Sequence, residues 1–258
     1  MRFVQERIER GLLDARIQFV FSNRAQGQAQ GSDGFFDLVS SYNLPLVTRS
    51  SAHYRRSRSS SGLTWAELRP EYDRLVLEDL EDFRPDICVL AGYMLIWGAQ
   101  MCSSYPMLNL HPALPDGPIG TWQNVIWELI RQRATRTGAM IHLATEELDR
   151  GPVVSYCSAP ITGPDFDQEW LALAELDLEE VRASQGEDLS LFQQIRRAEY
   201  RREPYLILET LRAVAEGRVQ VKDGQALNAS GLPLASTVPP GLCLDEEIDR
   251  AMAADGSA

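Results

Sequence analysis

The sequence predicts an α/β fold: an open, mostly parallel sheet with helices on both faces. Three observations carry that expectation. Helical spacing and short apolar runs alternate through the first hundred residues, the rhythm of a layered sheet with right-handed crossovers. Residues 85–90 are almost wholly apolar, as a strand covered on both faces must be. Polar residues then gather where strands should end, Asn109 and His111 first among them, and such sheets bind ligands beyond the carboxyl ends of their strands.

In chain order, Phe3, Val4, Ile8, Leu12 and Leu13 recur at three- and four-residue steps and predict an opening helix that stops near residues 11–14. Residues 17–21 predict a strand, 27–34 a Gly-, Gln- and Ser-rich loop, 35–42 a helix and 44–47 another short strand. Residues 49–62 are polar and basic with no apolar period. They read as a solvated mobile loop, or as a lid or anion contact in which Arg55, Arg56 and Arg58 would touch a phosphate; His53 sits there with no motif around it. Helical spacing returns over 65–83, and residues 85–90 form the buried strand. Residues 91–95 would leave that strand end, and Asn109 with His111 would leave the next, so that both face one crevice. A helix over 123–133, a strand over 139–143 leading into Asp149, and a strand over 153–161 complete a core of residues 1–165.

Beyond Pro164 the character turns acidic and helical, over 167–182 and again over 189–216, where Pro204 should interrupt or begin a helix. Asp223-Gly224 between alternating segments is a hairpin signal, so residues 166–228 are expected to pack as helices and a hairpin on the core. The Pro- and Ala-rich residues 229–258 predict a loose acidic tail.

Composition narrows the partners. A net charge of −12 in 258 residues argues against a dedicated nucleic-acid binder. The longest uncharged apolar run, 87–101, is shorter than the roughly 18 residues of a membrane span, and the charged first residues do not form a secretory signal. Cys88, Cys102, Cys157 and Cys243 show no metal-ligand spacing, which predicts reduced thiols in a cytoplasmic protein with neither structural metal nor disulfide framework.

The chemistry concentrates in three residues. Asn109 and His111 alternate with apolar neighbours, so both point to one side of a strand end. Asp149 precedes the Gly151-Pro152 turn, which could hold a carboxylate in place. Singly, each has an ordinary reading as a turn residue or a satisfied polar group. Together, an amide, an imidazole and a carboxylate suit an acyl-type transfer.

Asn109-Leu110-His111-Pro112-Ala113-Leu114, Thr137-Gly138-Ala139-Met140-Ile141-His142 and Glu147-Leu148-Asp149-Arg150-Gly151-Pro152 together resemble the formyltransferases that use 10-formyltetrahydrofolate, above all the branch that formylates glycinamide ribonucleotide in de novo purine biosynthesis. The resemblance covers roughly residues 3–165 and implies a Rossmann-like formyltransferase sheet. It implies that Asn109, His111 and Asp149 are catalytic. Arg69, Met94, Leu95, Ile96, Asn109, Glu147 and Leu148 would hold the folate, Glu203 would contact the substrate amine, and His142 would support Asp149 from behind. The two substrates would be small molecules, and no metal enters. A formyltetrahydrofolate hydrolase, a formyltransferase for another amine and a non-catalytic folate-binding relative share these motifs.

Two departures stand out. The family's first strand and Gly-Ser-rich phosphate loop have no counterpart before the opening helix, so the resemblance implies either a true start upstream of Met1 or a variant without that loop. Leu114-Pro115-Asp116 replaces the usual Leu-Leu-Pro, and Arg150 a usual small residue.

Overall fold

The computed structural model describes residues 1–147 and 149–256. The chain divides into two compact units, one of Met1–Leu108 with Ala144–Arg150, the other of Asn109–Leu143 with Gly151–Ala258. Among the described residues no helix is long and apolar enough to cross a membrane.

The first unit opens with α1 (Arg2–Glu9) and the parallel strands β1 (Val20–Ser22) and β2 (Leu46–Thr48), registered Val20 to Leu46 and Ser22 to Thr48. Between them α2 (Gln30–Ser41) starts inside the stretch expected to be loop. Asp33 in its first turn accepts the Gly27 N–H at 2.8 Å and complements the helix dipole, which offsets the weak propensity of Gly31 and Gly34. The basic segment is also folded rather than loose. It forms α3 (Ser51–Ser57), capped by Ser50, and a single 3-10 turn over Ser59–Ser61. Its cations have partners on or beside α4 (Trp65–Asp79): Arg55 lies 4.1 Å over the Trp65 ring, Arg58 reaches Glu71 at 2.5 Å, and Arg49 pairs with Asp79 through both carboxylate oxygens.

A capping box of Thr64 and Glu67 starts α4. The helix then buries Leu68, Tyr72 and Val76 against Trp97, Met101 and Met107. β3 (Cys88–Leu90) begins later than expected, and Cys88 N–H donates to the Pro106 carbonyl at 2.8 Å. The short α5 (Ala99–Ser104), not anticipated, leads into β4 (Met107–His111), along which the chain leaves this unit at Leu108.

In the second unit α6 (Trp122–Arg131), capped by Thr121, buries Val125, Ile126, Leu129 and Ile130. β5 (Arg136–Leu143) and β6 (Val153–Pro160) pair antiparallel, from Arg136 with Pro160 to His142 with Val153. Residues 144–152 are too few for the roughly dozen-residue crossover that a parallel pair demands, so the sheet turns mixed here. The acidic stretch is two helices rather than one, α7 (Asp167–Ala172) and α8 (Leu178–Gln185), because the Asp177 side chain caps a fresh start. α9 (Ser190–Tyr200) and α10 (Glu203–Ala215) follow, with Pro204 in the first turn of α10 where its missing N–H is harmless. β7 (Val219–Lys222) and β8 (Gln225–Asn228) form the hairpin, with Asp223 and Gly224 both at positive φ.

The tail expected to be loose is ordered. β9 (Leu242–Cys243) pairs parallel with β6, and α11 (Asp245–Gly256) packs after it. Leu244 and Ile248 are fully buried, Asp245 accepts from the Ser158 N–H and hydroxyl at 2.6 Å each, and Arg202 donates to Asp249 at 2.7 Å.

Candidate active site

Asn109 and His111 stand at the end of β4, and His142 stands near the end of β5, all in the second unit. Asn109 Nδ2 lies 3.1 Å from His142 Nε2, and His142 Nδ1 lies 2.9 Å from the Leu143 carbonyl oxygen. His111 Nε2 lies 3.0 Å from the carbonyl oxygen of Pro118, and the two imidazoles sit edge to face with centroids 6.5 Å apart. Each histidine is only 2% exposed, so little water competes for these contacts.

Backbone geometry sets this cluster. Gly151 must be glycine, since a Cβ there would lie 1.7 Å from the Leu143 carbonyl oxygen. The turn after His111 is similarly constrained: Asp116 has φ 62, and a Cβ on Gly117 would lie 2.7 Å from the Leu114 carbonyl oxygen. This turn and α6 enclose a cavity of about 420 Å³ lined by Pro118, Ile119, Asn124 and Glu128 among others.

The first unit holds the residues expected on the folate side. Arg69 on α4 has a buried Nε that makes no hydrogen bond among the described residues. Nearby Asp73 accepts the Gly98 N–H at 2.8 Å; burial pushes its carboxyl up, while that hydrogen bond and the charge of Arg69 oppose the shift. Between β3 and α5, Met94 is 85% exposed and Ile96 39%, with Leu95 half-buried. Tyr93 and Trp97, on either side of this segment in the chain, stack with ring centroids 4.4 Å apart. Glu146 accepts the Ala99 N–H at 2.9 Å, and Thr145 donates to the Glu147 carbonyl at 3.0 Å. Asp149 holds a left-handed backbone at φ 54, a conformation aspartate tolerates better than most residues. Leu148, expected against the folate, lies outside the described residues.

Asn109, His111 and His142 are thus brought together, with His142 Nε2 against Asn109 Nδ2. Glu203 is not with them. Its carboxylate pairs with Arg196 at 2.6 Å, and Arg196 also approaches Glu199, whose Oε1 accepts from the Thr137 hydroxyl at the opposite end of β5. Five residues of strand, about 16 Å, separate Thr137 from His142. Sequence reasoning missed Glu199 altogether, because Arg197-Ala198-Glu199-Tyr200 reads as the polar face of a helix. It is 1% exposed, and burial pushes its carboxyl up to about 8 against the opposing Thr137 hydrogen bond. Among the described residues no group of His, Cys, Asp or Glu side chains is arranged to hold a metal ion, and all four thiols are free.

The sequence model described as formyl transferase matches residues 4–180. The formyltetrahydrofolate deformylase of Haemophilus influenzae is 26% identical over 187 residues, 72% of this chain and 59% of that protein. The phosphoribosylglycinamide formyltransferase of Escherichia coli is 30% identical over 103 residues, 39% of this chain and 48% of that protein. This chain therefore spans about half to three fifths of the length of these curated relatives. Among solved structures, the phosphoribosylglycinamide formyltransferase of Coxiella burnetii shares the fold at a TM-score of 0.60 and 22% identity, covering 94% of this chain and 92% of that one. A deformylase from Pseudomonas syringae aligns at 0.54 and 22%, over 88% and 61%.

Proposed function

This chain belongs to the formyl transferase family, and from that premise we propose that it moves the formyl group of 10-formyltetrahydrofolate onto the amine of glycinamide ribonucleotide. The observation that carries the reading is the buried polar corner of β4 and β5, where an amide and an imidazole are held by partners within 3.1 Å. Such preorganised donors are what a formyl oxygen needs as it gains charge.

The amine nitrogen attacks the formyl carbon, the new C–N bond forms, and negative charge collects on the formyl oxygen. Asn109 and His111 donate to that oxygen, each contributing about 10²–10³ in rate. Asp149 takes the amine proton, for about 10²–10⁴ more. The bond from the formyl carbon to N10 of the folate then breaks, and N10 leaves with a proton. On the folate side, the exposed apolar faces of Met94 and Ile96 are surface that a flat heteroaromatic ring would cover, and Leu95, Glu147 and Arg69 are assigned to the same ligand. Glu203, paired with Arg196, has no part in this assignment.

A second reading, hydrolysis of 10-formyltetrahydrofolate, is favoured by the longer alignment to the deformylase, 72% of this chain against 39% for the transferase. The same three residues would then serve water in place of the amine. Purified protein given 10-formyltetrahydrofolate separates the two: release of tetrahydrofolate that requires glycinamide ribonucleotide supports transfer, and formate release without it supports hydrolysis. Asp149→Asn should lower either rate at least 10²-fold; unchanged turnover would remove Asp149 from the mechanism.

A further inference from the structure

We propose that Glu146 is a positioning residue that ties the loop carrying Asp149 to residues 94–96 through the start of α5, so that the proton acceptor and the apolar surface offered to the folate keep one register. The tie lies wholly within the first unit; its use in catalysis rests on the formyl-transfer reading.

Two carboxylates from different parts of that unit meet the start of α5. Asp73 on α4 accepts the Gly98 N–H at 2.8 Å, and Glu146 accepts the next one, that of Ala99, at 2.9 Å. Both N–H groups precede the first intrahelical bond, from Cys102 N–H to the Gly98 carbonyl, so neither has a partner within α5. The two anchors differ. Asp73 is buried, and Gly98 lies so close that a Cβ there would sit 2.9 Å from its Oδ2, which fixes this point to the core. Glu146 is exposed, on the Ala144–Arg150 stretch, whose first N–H donates to the Met107 carbonyl at 2.8 Å. Cys102 of α5 senses both carboxylates: burial pushes its thiol up, the charges of Glu146 and Asp73 add to that, and Arg69 opposes it.

The start of α5 is therefore a shared reference point. Residues 94–96 run between Tyr93 and the buried Trp97, whose rings stack, and Gly98 follows directly. Asp149 comes three residues after Glu146, at most about 10 Å of chain. Adjacent N–H groups thus set the end of one segment and the beginning of the other against the same backbone. A misplacement of about 1 Å at a reacting group costs about 10²-fold in rate, so a bond of this kind matters to kcat well before it matters to folding. A ligand that orders residues 94–96 strengthens the Glu146 bond, and by linkage the bond strengthens the ligand's hold.

Amide exchange with water, resolved for single residues by NMR, reads the tie without any reaction. Glu146→Ala should speed exchange at Ala99 about tenfold, as loss of a bond to a charge allows, and leave the Gly98 rate unchanged. Glu146→Gln keeps an acceptor oxygen and should retain most of the protection. Bound tetrahydrofolate should slow Ala99 exchange in the wild type and not in Glu146→Ala. An Ala99 rate indifferent to Glu146→Ala, or a tetrahydrofolate effect that survives the substitution, would overturn the proposal whatever the protein catalyses. In turnover of 10-formyltetrahydrofolate, Glu146→Ala should lower kcat about tenfold with a smaller change in KM, and Glu146→Gln should recover most of the loss. In an Asp149→Asn background Glu146→Ala should cost less than about twofold; an equally large cost there would show that Glu146 does not act through Asp149. Ala99 rates that follow Glu146 while tetrahydrofolate stays unbound and no formyl group is transferred would keep the tie and remove the formyl-transfer reading alone.

Discussion

The two ends of β5 bury polar side chains equally deeply and use them differently. At the His142 end, Asn109, His111 and His142 meet partners at 2.9–3.1 Å, and two of those partners are backbone carbonyls that cannot rotate away. At the Thr137 end, Glu199 is buried with one oxygen on the Thr137 hydroxyl, while among the described residues the other has only Arg196 at 3.7 Å. The first arrangement sets ring nitrogens against fixed carbonyl oxygens, while the second leaves a carboxyl whose proton affinity is governed by desolvation. Burial of a polar group therefore does not mark a site by itself. What marks one is that its donors are pinned by groups that do not move.

The largest expected effect tests the His142 end. Asn109→Ala should lower kcat about 10²–10³-fold and leave the unfolding midpoint nearly unchanged, as steady-state kinetics and urea titration would show. A loss of stability with kcat intact would assign Asn109 to structure and erase the contrast between the two ends.

Next in size is the titration of Glu199. Its folded value of about 8 lies above the ordinary 4.5, so the stability it contributes is fully present below pH 4.5 and is lost as pH rises through about 8. Between pH 5 and pH 9 the wild type should lose on the order of a few kcal/mol from this group. Glu199→Gln cannot ionise and should flatten that slope without altering kcat. Urea midpoints of both proteins at pH 6 and pH 9 provide the check, and equal slopes would show that Glu199 is not the group responsible.

How far the sequence carried these ends differs for a physical reason. Asn109 and His111 were legible as a pair because strand alternation fixes which side chains share a face, His142 was singled out only through the family resemblance, and Pro204 and Asp223-Gly224 were legible because their local conformations are restricted. The carbonyls of Leu143 and Pro118 carry no side-chain signal, so their part in the site emerges only with the fold. Residues 49–62 looked loose because the partners that order Arg49, Arg55 and Arg58, namely Asp79, Trp65 and Glu71, lie on or at the start of α4. The tail looked loose because two buried residues, Leu244 and Ile248, do the anchoring amid small and acidic neighbours. Glu199 was invisible because its burial comes from β5, more than sixty residues earlier in the chain.

The smallest effect has the most distinctive form. Thr137 donates its hydroxyl proton to Glu199, which favours the charged carboxylate and opposes the upward push of burial. Thr137→Val keeps the shape and removes the donor. Below pH 6, where Glu199 is neutral, the loss is that of an ordinary hydrogen bond, about 1 kcal/mol. Toward pH 9 it becomes the loss of a bond to a charge, about 1.5–3 kcal/mol, and the carboxyl moves further up. The gap between variant and wild type should therefore widen with pH, while Glu199→Gln narrows its own gap over the same range. A gap that stays constant from pH 6 to pH 9 would mean that Thr137 does not sense the charge on Glu199, and that the two ends of β5 differ less than their hydrogen bonds indicate.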